Sequence, residues 1–132
     1  MKYWLLKTEP ETYSYHDLEV AGSDTWDGVR NFQARANIKK MAPGDQAFIY
    51  HTGRQRAIVG IAEVVSEPYP DPGDHRFLWI DVRAVRSLPR PVSLSEIKAE
   101  PTFADWELVR LSRLSVMPVP PQFWSQILMM AK

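Results

Sequence analysis

The sequence of 132 residues contains no cysteine, which excludes a disulfide, a thiolate nucleophile and a cysteine-ligated zinc site. It also has no apolar run near the roughly 20 residues that a membrane-spanning helix requires. The first residues carry one cation and a short apolar stretch without a small-residue cleavage site, a pattern that predicts a first strand rather than a signal peptide. We therefore expect a single soluble domain over residues 1–132, located in the cytoplasm.

Familiar catalytic motifs are missing as well. The sequence has no glycine-rich phosphate loop and no nucleophile elbow. Its three histidines, His16, His51 and His75, are far apart and lack the spacing of a helical metal site. His16 and Asp17 are neighbours, but adjacent helix residues point to different faces. We expect no metal, no cofactor and no catalytic residue, so the pattern favours a binding protein over an enzyme.

The formal net charge is zero, with 16 basic and 16 acidic residues, which by itself argues against binding to a polyanion. The cations are nevertheless clustered, between Asp27 and Asp45 and in the loop after residue 51. Such clusters are usually solvated faces, although a patch of one sign can create a local field on a neutral protein. Five of these cations are candidates for contacts with phosphate: Arg30, Arg35, Lys39, Arg54 and Arg56.

Hydrophobic periodicity predicts an α+β domain with five to six strands and several short helices. The predicted strands are 3–7, 46–50, 57–65, 77–88 and 108–116. The predicted helices are 12–21, with Ser14 as N-cap, 31–41, with Asn31 as N-cap, 94–99 and 122–130. Residues 23–29 and 68–74 have turn chemistry and are expected to be loops. Long strands in so short a chain favour a small, mostly antiparallel partial barrel with helices packed outside.

Three clusters at predicted strand ends or between helices combine aromatic rings with hydrogen-bonding groups. They are Lys7, Thr8 and Glu9; Trp26 with Asn31; and Tyr50, His51 and Thr52. An indole offers a stacking surface, and an asparagine amide offers the paired donor and acceptor that a base edge requires. Trp26 fits a core-capping tryptophan equally well. Together the clusters predict a slot for a planar polar ligand.

The order and spacing of four segments resemble the EVE domain, nearly from end to end. The segments are MKYWLLKTEP (1–10), WDGVRNFQAR (26–35), YHT (50–52) and IVGIAEV (58–64). The resemblance implies a PUA-like fold, related to the YTH readers, and recognition of a modified base in DNA or RNA. Methylated or hydroxymethylated cytosine is the expected ligand. It also implies a monomer whose effector activity a partner protein can supply.

The same resemblance implies a base-binding pocket lined by Lys7, Thr8, Glu9, Trp26, Asn31, Tyr50, His51 and Thr52. Trp26 would stack on the base, while Asn31 and Thr8 would read its edge. Threonine stands at positions 8 and 52, where serine is commoner, and it keeps the hydroxyl. Phe77 occupies the place of a usual tryptophan, and Trp79 shares its face by strand alternation. Either ring can supply the second aromatic wall.

An alternative function follows from another PUA-like type, the ASCH domains, which include small amidohydrolases that act on acylated nucleosides. Lys7, Thr8 and Glu63 resemble their lysine, threonine and glutamate, with Lys7 as the base if burial lowers its pKa. Adjacent strand residues face opposite ways, so Lys7 and Thr8 share a pocket only where the strand ends. Glu63 equally fits a structural ion pair. A protein-interaction scaffold that uses exposed aromatics is a third possibility.

Overall fold

The computed structural model describes residues 1–132 as seven strands, five α-helices and one 3₁₀ turn at Pro101–Phe103. The strands are β1 (Tyr3–Thr8), β2 (Ser23–Trp26), β3 (Gln46–His51), β4 (Ala57–Val64), β5 (Tyr69–Asp71), β6 (Asp74–Ser93) and β7 (Val116–Pro118). The helices are α1 (Tyr15–Ala21), α2 (Phe32–Ile38), α3 (Leu94–Ala99), α4 (Glu107–Arg110) and α5 (Pro121–Met130). None of these helices combines the length and apolarity needed to cross a membrane.

All strands belong to one curved sheet with the order β2-β6-β4-β3-β1-β7, and β5 pairs with β6 beside this path. β1 and β3 are parallel, and every other pair is antiparallel. The predicted α+β, mostly antiparallel architecture is confirmed. The sheet ends at β2 and β7 without closing, so the expected barrel is a curved open sheet.

The long strand β6 gives the sheet its curvature. It pairs with β5, β2 and β4 at successive parts of its length. Its register against β4 shifts twice, between Ile58 and Gly60 and between Ile61 and Ala62. Such bulges bend a strand and increase its twist. The curved sheet and the surrounding helices enclose a core cluster of 33 buried residues.

The predicted helix starts are confirmed by their hydrogen bonds. Ser14 Oγ accepts from Asp17 N at 3.1 Å, and Asn31 Oδ1 accepts from Ala34 N at 3.0 Å. Ser93 caps α3 in the same way as Ser14 caps α1, through a full capping box. These side chains satisfy backbone N–H groups that the helix itself leaves free. α2 is shorter than predicted, because it ends at Ile38 rather than at residue 41.

Three predicted segments were wrong. Residues 23–29 and 68–74, expected as loops, contain β2 and β5. Pro70 is tolerated in β5 because this strand lies at an edge, where a missing N–H breaks no central ladder. Residues 108–116, expected as one strand, form α4 and then the start of β7. Short apolar runs of this kind do not distinguish a strand from a buried helical turn.

Tyr15 fixes α1 to the centre of the sheet. Its backbone N donates to His51 Nε2 at 3.0 Å, and its hydroxyl donates to the carbonyl of Ile61 at 2.7 Å. The ring covers Gly60 so closely that a Cβ there would lie 2.5 Å from Tyr15 Cζ. Position 60 therefore requires glycine because of the space available.

We predict that Gly60→Ala lowers the free energy of unfolding by at least about 1–3 kcal/mol, because the new methyl group overpacks the Tyr15 ring. Urea denaturation measures the change. In a Tyr15→Ala background the same substitution is expected to cost much less, since the clashing ring is gone. Equal costs in both backgrounds would show that the ring contact does not govern this position.

Candidate functional site

A pocket of about 290 Å³ opens where β1 ends, between the segment before α1 and strand β2. Its size lies near the lower end of the range of about 300–1,000 Å³ for small-molecule sites. Three of the predicted residues line it, namely Lys7, Thr8 and Trp26. The other lining residues were not predicted: Thr12, Tyr13, Asp24, Thr25 and Asp27.

Hydrogen bonds between the elements hold the pocket open. The Thr8 hydroxyl donates to the carbonyl of Tyr13 at 2.6 Å, which ties the segment before α1 to the end of β1. The Tyr13 hydroxyl donates to Asp24 Oδ2 at 2.6 Å, which ties the same segment to β2. Asp24 Oδ1 accepts from Thr25 N at 2.8 Å. The pocket wall is thus built before any ligand arrives.

Two aromatic rings form a corner of the pocket. Tyr13 and Trp26 lie edge to face, with centroids 6.2 Å apart and an angle of 86° between the planes. Trp26 is 7% exposed and belongs to the core cluster, yet it also lines the pocket. The two interpretations of Trp26 from the sequence, core cap and pocket wall, therefore both describe this residue.

The pocket presents charges of both signs. Lys7 is half-buried, and this burial lowers the pKa of its ammonium group below the usual value. Lys7 Nζ donates to the carbonyl of Ser112 at 3.0 Å and lies 5.5 Å from the Tyr50 ring centroid. Asp27 is exposed, and its carboxylate makes no hydrogen bond or ion pair within the chain. The pocket therefore offers ammonium donors and carboxylate acceptors in one place.

The cluster at the end of β3 is mainly structural. His51 is buried; its Nε2 accepts from Tyr15 N, and its Nδ1 lies 2.7 Å from Gln55 Oε1. These partners fit the neutral tautomer with the proton on Nδ1. The Thr52 hydroxyl donates to Glu9 Oε2 at 3.0 Å. None of His51, Thr52 and Glu9 lines the 290 Å³ pocket, and Tyr50 lies beside it under Lys7.

Asn31, Phe77 and Trp79, which were also predicted to line the base site, do not line this pocket. The side-chain oxygen of Asn31 accepts from Ala34 N and so caps α2, and the residue borders a different concavity. Phe77 is buried and stacks on Phe32 with centroids 5.2 Å apart. Trp79 packs on Tyr69 at 6.1 Å. The second aromatic wall is Tyr13, an aromatic residue directly before a helix N-cap, which is a signal present in the sequence.

The five predicted phosphate-binding cations fall into two groups. On the α2 side, Arg30 pairs with Asp71 at 3.2 Å, and Arg35 Nε donates to the carbonyl of Arg76 at 2.6 Å. Lys39 is exposed at the end of α2. Arg54 and Arg56 are exposed in the turn between β3 and β4, and their side chains make no hydrogen bond. Arg30 and Arg35 are therefore already engaged, whereas the turn arginines are free.

The structure separates the three residues of the alternative catalytic set. Lys7 pairs with Tyr50 near the end of β3, whereas Glu63 pairs with Gln46 at its beginning. Tyr50 and Gln46 are four positions apart along β3, which corresponds to about 13 Å. Glu63 forms an ion pair with Arg83. Lys7, Thr8 and Glu63 therefore do not assemble into one active site.

Comparisons with known proteins identify close relatives of this chain. The model of the EVE domain family matches residues 2–130. Thymocyte nuclear protein 1 of Mus musculus is 36% identical over an alignment that covers 73% of this chain and 55% of the relative. The chain spans about half the length of the curated relatives it matches first.

Solved structures share the fold. An NMR structure of a Rhodopseudomonas palustris protein is 41% identical, with a TM-score of 0.94, and the match covers 99% of this chain and 93% of that one. Human THYN1, crystallised in complex with DNA containing 5-methylcytosine, is 26% identical, with a TM-score of 0.93 and coverage of 100% and 98%. The predicted PUA-like fold is confirmed. An ASCH protein of Zymomonas mobilis, 12% identical with a TM-score of 0.58, shows only the same general fold.

We predict a pH-dependent contribution of Tyr13 to stability. Burial, and then the hydrogen bond to Asp24, raise the pKa of Tyr13 above its ordinary value of about 10. The folded state therefore keeps a proton that the unfolded state loses, and the free energy of unfolding should fall as pH rises above that value. Tyr13→Phe, followed by urea denaturation at increasing pH, is expected to remove this part of the fall.

Asp24→Asn is the matched control, because it removes the carboxylate but keeps the burial of Tyr13. It should weaken the alkaline fall without abolishing it. If both variants show the same pH profile as the unmodified chain, Tyr13 is not held as the structure indicates.

Proposed function

The chain belongs to the EVE domain family, and from this premise we propose that it is a non-catalytic module that recognises a modified cytosine, 5-methylcytosine above all, in DNA. The observation that carries the proposal is the preformed pocket in which Trp26 and Tyr13 meet beside Lys7 and Asp27. Human THYN1, which shares the fold over the whole chain, was crystallised with DNA containing 5-methylcytosine. The pocket supplies what such a base needs.

The polar groups of the pocket complement the edge of cytosine. Cytosine presents one amino donor at N4 beside acceptors at N3 and O2, whereas thymine presents an acceptor at O4 instead. The free Asp27 carboxylate accepts from the N4 amino group in this proposal. Lys7 donates one N–H to Ser112, and its ammonium has three, so two remain for base acceptors. With thymine, the Asp27 carboxylate would face O4, and neither of these two acceptors carries a proton to share. This repulsion disfavours thymine.

The aromatic corner supplies stacking, and the methyl group adds a smaller term. Aromatic stacking is worth about 1–3 kcal/mol per base. This roughly offsets the few kcal/mol needed to extrude a base from a duplex. Burial of one methyl group adds roughly 0.8 kcal/mol. We therefore expect a moderate preference for 5-methylcytosine over cytosine and a stronger preference for cytosine over thymine.

Further properties of the module are proposals drawn from the family resemblance. We propose that the chain acts as a monomer in the cytoplasm and that a partner protein supplies any effector activity. The same pocket chemistry fits a modified cytosine in RNA or a hydroxymethylated cytosine, so both belong in the ligand test. Sedimentation of the purified chain tests whether it is a monomer. Cell fractionation tests whether it is located in the cytoplasm.

The function predicts an order of affinities in a binding titration at fixed low salt. Matched DNA and RNA oligonucleotides, single and double stranded, would carry cytosine, 5-methylcytosine, 5-hydroxymethylcytosine or thymine at one position. DNA with 5-methylcytosine is expected to bind a few times more tightly than cytosine, and thymine is expected to bind weakest. Equal, salt-sensitive binding to every oligonucleotide would refute base recognition.

Asp27→Asn is the sharper test of the pocket, because Asp27 is exposed and unpaired and its loss leaves the core intact. The amide can present a donor to O4, so we predict that discrimination between 5-methylcytosine and thymine falls by about tenfold. Asp105→Asn, at an exposed carboxylate that makes no hydrogen bond or ion pair and lies outside the pocket, is the control for lost charge. Unchanged discrimination in Asp27→Asn would exclude Asp27 from base reading. Trp26→Ala is less informative, because deletion of a buried indole also costs about 3–5 kcal/mol of stability.

A further inference from the structure

A furrow continues from the base pocket toward α3. Lys7 lines both the base pocket and a second concavity of about 190 Å³. Arg56, Leu94 and Lys98 line both this concavity and a third one of about 260 Å³. The second and third concavities share three lining residues and are called the furrow below; the furrow adjoins the base pocket at Lys7, the one residue that lines both.

The charge of the surface changes sign along this path. The base pocket contains two acids, Asp24 and Asp27. The charged lining residues of the furrow are all cations: Lys7, Arg54, Arg56 and Lys98. The side chains of Arg54, Arg56 and Lys98 make no hydrogen bond or ion pair, whereas Arg90 beside α3 is paired with Glu96. The furrow therefore contains three free cations, and the base pocket contains none of them.

The fold holds these cations in fixed relation to one another. Leu94 N donates to the carbonyl of Arg56 at 2.8 Å, which joins the turn between β3 and β4 to the start of α3. Lys98 follows Leu94 by four residues, so both lie on the same helical face. Arg56 has a φ of 42°, a left-handed conformation that is unfavourable for a residue with a side chain. The backbone contact with α3 stabilises that conformation.

The floor of the furrow is partly apolar. The buried side chains of Tyr50 and Leu108 line its first part, next to Lys7. An apolar floor with a cationic rim suits a sugar and its flanking base below and a phosphodiester at the edge. A free inorganic phosphate would use the rim alone and gain nothing from the floor.

We propose that this furrow carries the sugar–phosphate backbone on one side of the recognised base, with Lys98, Arg56 and Arg54 contacting successive phosphates. This inference rests on the proposed function, because the strand enters the furrow from the base pocket. It assigns the phosphate contacts to α3 and the hairpin turn, away from Arg30 and Arg35. The pocket then reads the base, and the furrow fixes the strand.

Lys98→Ala tests the furrow. Removal of one phosphate contact is expected to reduce the slope of log affinity against log salt by about 0.7–1. It should weaken binding of methylated and unmethylated oligonucleotides by the same factor. Lys2→Ala is the matched control, since Lys2 is exposed at the opposite end of β1, about 16 Å from Lys7. A slope for Lys98→Ala equal to that of Lys2→Ala would overturn the inference.

Uncharged methylphosphonate linkages in the oligonucleotide can identify which phosphate Lys98 contacts. In a set of 5-methylcytosine oligonucleotides, each carrying one methylphosphonate, the unmodified chain should lose affinity for linkages on one side of the base. At one of those positions Lys98→Ala should show no further loss, because its contact partner is already gone. Additive losses at every position would also overturn the inference.

Binding of the nucleoside 5-methyl-2′-deoxycytidine, followed by NMR shifts of the unmodified chain and of Lys98→Ala, separates the two claims. The nucleoside has no phosphate, so equal binding to both chains supports the furrow as a backbone site. Oligonucleotides that bind equally well with cytosine and with 5-methylcytosine would refute the proposed function itself. If the preference for the methylated base is intact but Lys98→Ala has the same salt slope as the unmodified chain, only the inference about the furrow is refuted. Competition by inorganic phosphate as strong as that of an oligonucleotide would identify the furrow as a simple anion site.

Discussion

The parallel pairing of β1 with β3 is the constraint on which the site depends. Parallel strands that run in register end at the same edge of a sheet, and here Lys7 lies beside Tyr50 and Thr8 beside His51. The buried Asp45 fixes the other end of this pair, where its carboxylate accepts from Trp4 Nε1 at 2.9 Å and Lys2 N at 3.0 Å. A shift of one residue would turn Lys7 away from both the pocket and the furrow.

Trp26 belongs both to the core and to the proposed ligand pocket. The indole closes one end of the core and at the same time forms a pocket wall. A ring so placed has little freedom to move, which favours a preformed stacking surface over one that must be ordered on binding. Tyr13 completes the corner, and its bond to Asp24 holds a carboxylate in the wall. Tyr13 thus contacts both the aromatic part of the pocket, at Trp26, and its polar part, at Asp24.

Local signals predicted local structure well, and tertiary contacts account for the rest. The caps at Ser14 and Asn31 and the strands around residues 3–8, 46–51 and 57–64 follow from short-range chemistry. Trp26, Lys7 and Thr8, which the family motif grouped together, line one pocket in the structure. An aromatic residue before the N-cap was visible in the sequence, but the place of Tyr13 in the pocket wall depends on a hydrogen bond to Asp24, 11 residues away, that no periodicity encodes. Asn31 borders a different concavity, and its side-chain oxygen caps α2 as the sequence predicted.

Zero net charge is compatible with binding to a polyanion when the two signs are segregated. Two carboxylates in the base pocket repel phosphate and therefore oppose nonspecific seating of a strand there. Three cations whose side chains are unpaired, Arg54, Arg56 and Lys98, line the adjoining furrow, where attraction of phosphate does not discriminate among bases. In the proposed arrangement the furrow would contribute affinity that depends on salt, and the pocket would contribute base selectivity. A surface of zero net charge on which the two signs alternate evenly would have neither a cationic path for phosphates nor an acidic pocket.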